Sequence, residues 1–235
     1  MANISCIIPA YNEWERIKNV LEVAINHDLI TEIIIINDWS KDNTKIVIED
    51  FIRNNSALSN KINFINLEKN AWKTNAVITW IKASKWDFLL FLDSDLIWLD
   101  EKSITNLINP VINKEVDLTL SIRKNSLLIY KLIKLDFVSW ERVFKKSLLT
   151  QQDFANLLKL PWFALESYLN NKIIKNNLSI KTIYWNNVIS PRKSDKYWFW
   201  VWVKWDFNMI LEIIKTIWFI TIFKQNYKML KLKNK

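Results

Sequence analysis

Phe88-Leu89-Leu90-Phe91-Leu92-Asp93-Ser94-Asp95 decides the reading of this chain. Five consecutive apolar residues fit a strand buried on both faces, and the two carboxylates mark where it emerges into solvent. Such a strand belongs inside a parallel sheet, whose ligands bind at the carboxyl ends of the strands. The pattern recurs upstream. Ile4–Pro9 and Ile33–Ile36 are β-branched runs of strand length, and Ile62–Asn66 is another. Between these runs lie amphipathic segments at Arg16–Asn26, Thr44–Asn54 and Thr74–Ser84. Strand and helix in alternation predict an α/β fold, a mostly parallel sheet with helices on both faces. Downstream, Val116–Ile122 and Ile180–Tyr184 read as strands, and Leu127–Val138 and Glu166–Asn176 as helices.

The strand ends carry the chemistry. The first strand ends in Pro9-Ala10-Tyr11-Asn12-Glu13, the second in Asn37-Asp38-Trp39-Ser40, and the fourth in Asp93-Ser94-Asp95. Glu13, Asp38, Asp93 and Asp95 are therefore expected on one rim. Uncompensated, they would repel one another, and a divalent cation or hydroxyl donors resolve that. Hard oxygen ligands favour Mg²⁺ or Mn²⁺. The Asp-x-Asp spacing lets one carboxylate meet a metal while the other reaches a second site or a ribose. Asp38 can also serve as a turn cap, with Ser40, Asp42 and Thr44 close by.

The chain has 235 residues, which suits one domain or two. Half of them are hydrophobic, which excludes a disordered chain. The single Cys excludes a disulfide framework, and the single His excludes a multi-histidine metal site. Cys6 falls in the first strand and reads as core, and His27, between a helix and a strand, reads as a surface residue. The first residues lack the charged segment of a signal peptide, so a cytoplasmic setting is expected. Residues 1–180 carry a net charge of +1, and residues 181–235 carry +8. Asp206–Phe223 is nearly all apolar, with Glu212 and Lys215 interrupting it, and five lysines follow. The expected division is a catalytic domain over 1–205 and an amphipathic basic tail over 206–235. The tail reads either as a peripheral anchor on an anionic inner membrane face or as a helix packed on the domain. The balanced first 180 residues argue against a nucleic-acid partner.

Several ordered motifs resemble the family 2 glycosyltransferases, which have the GT-A fold. They are Pro9 to Glu13, Asn37-Asp38-Trp39-Ser40, Asn70-Ala71-Trp72-Lys73, Asp93-Ser94-Asp95, Ser139-Trp140-Glu141-Arg142 and Trp162-Phe163-Ala164-Leu165-Glu166. Asn37 departs from the family's acidic pair. The resemblance covers Ile4 to about Ile183. It implies transfer of a sugar from a nucleotide-diphospho-sugar donor, with Mg²⁺ or Mn²⁺, to an acceptor of lipid-linked or polyprenyl-phosphate type. Pro9, Tyr11, Glu13, Asp38, Lys73 and Asp93 would bind the donor, and Asp93 with Asp95 the metal and diphosphate. Asp95 and Glu166 are the catalytic candidates, Glu166 as the base that deprotonates the acceptor, with Glu141 as the other choice. Arg142 and Arg192-Lys193 are candidates for an acceptor phosphate. The alternative is a GT-A-shaped binding or partner subunit without turnover.

One composition feature is abnormal. The chain has no Gly and 14 Trp, where about 7% Gly, roughly 16 residues, is usual. Trp39, Trp72, Trp140 and Trp162 fall where the family carries glycine, and Trp86 sits in the short turn before the fourth strand. Trp198, Trp200, Trp202 and Trp205 have the spacing of a glycine-rich loop. The reading is that tryptophan stands for glycine, as when a codon decoded as glycine in the cell is translated as Trp. Indoles in loops would then be exposed or crowded.

Overall fold

The structure, a computed structural model, describes residues 3–67, 78, 81–82, 84–158, 164–191 and 219–233. Seven strands form one sheet among these residues, in the order β3-β2-β1-β4-β6-β5-β7. They are β1 Ile4–Ala10, β2 Ile30–Asn37, β3 Ile62–Asn66, β4 Phe88–Phe91, β5 Leu118–Arg123, β6 Arg142–Lys145 and β7 Ile180–Trp185. β1 pairs in parallel with β2 and β4, and β2 with β3. β6 runs antiparallel to both neighbours, and β5 and β7 pair in parallel. Two reversals return β5 to the direction of β4, so Arg123 emerges on the same rim as Asp93.

The helices follow from apolar spacing. α1, Ile17–Asn26, buries Ile17, Val20, Leu21, Ala24 and Ile25, a single stripe at helical period. α2 is Thr44–Asn54. α3, Glu101–Ile112, buries Ile104, Leu107, Ile108 and Val111 and is capped by Asp100, whose Oδ1 accepts from the Ser103 amide at 2.7 Å. α4 is Leu128–Ile133, α5 Gln151–Leu157, α6 Ala164–Lys175 and α7 Phe219–Lys233. One core cluster packs α1, α2 and α3 on one face of the sheet, and a second packs α5, α6 and the end of α7 on the other.

Differences from the sequence reading have physical causes. The helix expected over Leu127–Val138 stops at Lys134, which turns left-handed at φ 56°. β6, α3 and α5 are additions. β6 is only four residues long, Pro110 sits inside α3, and α5 is short but held by a Thr150–Asp153 capping box. The helix expected over Thr74–Ser84 and the boundary at 205/206 lie mostly outside the described residues. Lys224–Lys233 is not a frayed basic end: it is helix α7. Met229 and Leu232 of that helix enter the second core, and Gln225 Nε2 donates to the Ser167 carbonyl at 2.9 Å and to Asn171 Oδ1 at 2.7 Å. The tail's last helix is therefore packed on α6 along one side, while the apolar stretch 206–218 lies outside the described residues. No helix among the described residues is long and apolar enough to cross a membrane.

Candidate active site

Pro9 is in register with Ile36 of β2 and lies beyond the last β1–β4 pair, Ile7 with Phe91, near the end of the strand where proline is accepted. The Ile7 carbonyl accepts from the Leu92 amide at 3.1 Å on the β4 side. The strand then turns through Tyr11, half-exposed, and Asn12 at φ 56°. Asn is among the residues that accept this region. The loop after β1 is laced to the loop after β2. The Asn12 amide donates to Ser40 Oγ at 2.9 Å, the Lys41 amide to Asn12 Oδ1 at 2.8 Å, and the Glu13 amide to Thr44 Oγ1 at 2.8 Å. The Asp38 amide donates to the Ala10 carbonyl at 2.9 Å. Asn37, in the place of a family acid, is a hub: it donates to Asn66 Oδ1 at 2.7 Å and accepts from Ser40 Oγ at 2.5 Å. Glu13 and Asp38 are both buried, with Arg16 3.6 Å from Glu13.

The β4 end adds the second pair of acids. Asp93 meets Arg123 Nη1 at 3.2 Å, and the same nitrogen meets Glu141 Oε1 at 2.8 Å. Ser121 Oγ and Ser139 Oγ donate to Glu141 Oε2 at 2.8 and 2.7 Å. Burial alone would raise the Glu141 pKa. The Arg123 charge, those two hydroxyls and the neighbouring Asp93 outweigh it and hold the pKa below the usual carboxylate value. Burial works against the Arg123 charge, yet Glu141, Asp93, Asp136 and Asp95 together raise its pKa. Asp95 lies beside Ser190, whose hydroxyl is 3.2 Å from each carboxylate oxygen. Ser190 is carried there by an Ile97–Ile189 bridge and by Asn125, whose Nδ2 donates to the Ser190 carbonyl at 2.6 Å.

Glu13, Asp38, Asp93 and Asp95 thus occupy the carboxyl ends of three adjacent strands, β2, β1 and β4, as expected. The order β3-β2-β1-β4 puts a change of winding direction between β1 and β4, the crevice where α/β sheets bind ligands. Mg²⁺ and Mn²⁺ are commonly held by one or two carboxylates, with substrate phosphates and water completing the shell. Among the described residues, no three His, Cys, Asp or Glu form a cage. The rim fits that open type: Asp93 is fixed by Arg123, and Asp95 stands beside Ser190.

Other expectations need correction. Arg142 does not face an acceptor. It is fully buried, its Nε donates to the Ser139 carbonyl at 3.1 Å, and its Nη1 to Asn170 Oδ1 at 3.3 Å. Glu141 is fully buried in the Arg123 network, with no exposed face for an acceptor. Glu166 is in the first turn of α6, and its charge acts on the buried Arg142. His27 is buried, with Nε2 2.9 Å from Thr105 Oγ1. Cys6 is core, and burial pushes its thiol pKa up. Lys73, Arg192 and Lys193 lie outside the described residues. Arg123 and Ser190 join the site without a mark among the sequence motifs, although Arg123 obeys the same strand-end rule as the acids. Ser190 has no local signal, because a distant bridge brings it in.

A family model described as glycosyl transferase family 2 matches residues 5–164. The chain belongs to this family. Over 99 residues it is 35% identical to the poly-β-1,6-N-acetyl-D-glucosamine synthase of Staphylococcus epidermidis, and equally to that of Staphylococcus aureus. The first match covers 42% of this chain and 23% of the relative, so the chain spans less than a quarter of the curated relatives' length. Among solved structures, glucosyl-3-phosphoglycerate synthase from Mycobacterium tuberculosis superposes with a TM-score of 0.61 at 21% identity, over 81% of this chain and 72% of that one. That structure holds Mn²⁺, UDP and glucosyl-3-phosphoglycerate, and another of the same enzyme holds Mg²⁺ and UDP. The likeness establishes the GT-A architecture for this family 2 glycosyltransferase.

Proposed function

We propose that this glycosyltransferase moves a sugar from a nucleotide-diphospho-sugar to an acceptor, with Mg²⁺ or Mn²⁺. The carrying observation is the four-carboxylate rim on β1, β2 and β4, laced by Asn12, Ser40 and Thr44 and backed by Arg123. Glu13 and Asp38, on the laced loops, hold the nucleoside, with Pro9 and Tyr11 shaping the turn and Lys73 near the donor. Asp95, assisted by Asp93, holds the metal, which when bound stabilises the departing diphosphate. Arg123 and Glu141 fix Asp93. Glu166 is the candidate base for the acceptor.

The acceptor in this reading is lipid-linked, and the protein works as a peripheral protein on the inner face of the membrane. The basic, apolar composition of Asp206–Lys235 supports this, as do Tyr227, Lys228 and Lys231, exposed on α7. The test is turnover across a panel of nucleotide-sugars with Mn²⁺, with and without membrane lipids, in the chain and in Asp95→Ala. Metal-dependent release of nucleotide that Asp95→Ala abolishes supports the proposal. Donor binding with no turnover on any acceptor favours a binding subunit instead.

A further inference from the structure

α4 turns a greasy face to solvent. Leu128, Ile129 and Leu132 fall on one side of this six-residue helix and are 71%, 55% and 68% exposed. Leu127 and Val138 extend the patch from either side. The opposite side is anchored: Ile133 packs on the second core, and Tyr130 meets the Phe137 ring edge-on at 5.1 Å. The outward leucines are therefore not a frayed core. Charge completes the pattern. Between Lys124 and Val138 the sequence holds Lys124, Lys131 and Lys134 and one acid, Asp136, which is buried. The end of α7 reaches the same place, with Lys233 Nζ donating to the Lys134 carbonyl at 2.7 Å. α7 carries Lys228, Lys231 and Lys233 and has no acid at all. An apolar ridge fringed by lysines, with no exposed carboxylate, matches an anionic bilayer surface: leucines enter the acyl boundary while lysines meet headgroups.

We infer that α4, with the lysines at the end of α7, is a docking surface for anionic lipid. Its position gives it a use. The Ser126 hydroxyl bonds Asp136 Oδ2 at 2.9 Å and accepts from the Arg123 amide at 3.1 Å, and Arg123 holds Asp93. Docking through α4 brings the catalytic rim to the headgroup layer, where a lipid-linked acceptor presents its polar end. This extends the membrane part of the proposed function and leaves the donor chemistry untouched.

The test is flotation of the full chain with vesicles of neutral phosphatidylcholine and with vesicles containing anionic phosphatidylglycerol. The native chain is expected to float with the anionic vesicles, and less so at high salt. Leu128→Ser/Ile129→Ser/Leu132→Ser should lower binding at least tenfold with Tm unchanged, because these side chains contribute nothing to the core. Lys228→Glu/Lys231→Glu should lower it through charge alone. Unchanged flotation of the serine variant overturns the inference. So does a native chain that ignores both vesicles but self-associates through residues the serines disrupt. Mn²⁺-dependent binding of nucleotide-sugars without vesicles is measured alongside: its absence across the panel would sink the donor reading and leave the docking result standing.

Backbone geometry at two tryptophans carries a second, independent inference. Trp39 has φ 59° and Trp98 has φ 57°, both in the left-handed region, and both indoles are exposed. Asn12, Asn177, Lys114 and Lys134 share this region, the last three at helix ends, but a bulky aromatic in a loop is the outlier there, whereas glycine enters freely. The structure assigns glycine to these two positions in the protein as its own cells make it. Elsewhere the tryptophans differ. Trp140, expected to be crowded, stacks on Phe91 at 4.7 Å, and the buried Trp185 donates to the Ser103 carbonyl at 3.0 Å. Peptide mass mapping of the protein isolated from its own cells reads the answer. Peptides spanning positions 39 and 98 that are each lighter by one Trp-to-Gly step are expected. Either peptide at the literal Trp mass overturns the assignment for that position.

Discussion

β1 and β2 bury every residue but one, whereas β7 buries only its end residues Ile180 and Trp185, and β6 holds a fully buried arginine. The first pair belongs to the parallel half, β3-β2-β1-β4, which carries the donor rim. The others belong to the half that starts at β6 and is closed by α5, α6 and α7. In the parallel half, unbroken Ile, Leu and Phe runs are covered from both faces. The other half is stitched by polar groups: Arg142 to Ser139 and Asn170, Asn170 Nδ2 to the Phe137 carbonyl at 2.8 Å, and Asp153 to Tyr168 at 2.6 Å and Lys172 at 2.9 Å. Apolar packing tolerates small volume changes, but a buried polar network does not tolerate loss of one member. The two halves should therefore fail differently.

The largest effect is catalytic and confined to the donor rim. Asp95→Ala should lower transfer at least about a thousandfold, because several kcal/mol of charge stabilisation pass through that carboxylate. Melting should barely change, since Asp95 lies at the rim and not in either core. A variant that keeps its rate in chelator-treated buffer would detach the metal from this rim.

Next comes stability. Arg142→Met should cost about 3–5 kcal/mol in denaturant unfolding, because it strips a fully buried polar network of the guanidinium that the Ser139 carbonyl and Asn170 Oδ1 accept from. Ile35→Val, in the middle of the parallel half, should cost only about 0.5–1.5 kcal/mol. Equal costs would erase the contrast between the halves.

The same contrast explains what the sequence could tell. The parallel half is written in periodicity: α2 falls at Thr44–Asn54 as read, and β1, β2, β3 and β4 sit on their apolar runs. The carboxylates are legible because strand ends in such sheets face the ligand. The polar half has no comparable code. Arg142 looks like a surface cation in sequence, and only the fold shows that Ser139 and Asn170 satisfy it in the core. β6 is too short to show a period, and Ser190 reaches Asp95 through a pairing 92 residues away in sequence. His27 reads as a surface residue because a lone His in a connecting segment gives no sign of the helix that covers it.

Acid separates the halves again. Asp153 is held well below the usual carboxylate pKa. Burial opposes this, but bonds from Tyr168, Lys172 and Thr150 favour the charged form more strongly. A depressed carboxylate stabilises the fold above its unfolded pKa, near 4, and that contribution is lost as pH falls below it. Asp153→Asn should cost roughly 1.5–3 kcal/mol at neutral pH and flatten the stability profile below about pH 4. An unchanged acid limb in the variant would remove Asp153 from the account.

The smallest effect lies at milder pH and in the donor half. His27 is covered by α3, and the Leu29 amide donates to its Nδ1 at 3.3 Å, so Nδ1 carries no proton and Nε2–H is the donor toward Thr105 Oγ1. Thr105 in turn donates to the Glu101 carbonyl at 2.8 Å. This chain suits the neutral ring. Burial lowers the His27 pKa, and Lys61 adds to that, while Glu101 and Asp28 oppose it. The unfolded chain therefore takes up this proton first, and the contribution present above about pH 6.5 is lost as pH falls. His27→Gln keeps a donor for Thr105 and cannot acquire the charge. It should cost about 0.5–1.5 kcal/mol at pH 7.5 and remove the downward slope of stability between pH 6.5 and 5.5. The slope should persist in Asp153→Asn, because that carboxylate titrates far below this window. If the slope survives in His27→Gln instead, the mild-acid sensitivity belongs to another group and the donor half has no titration of its own near neutrality.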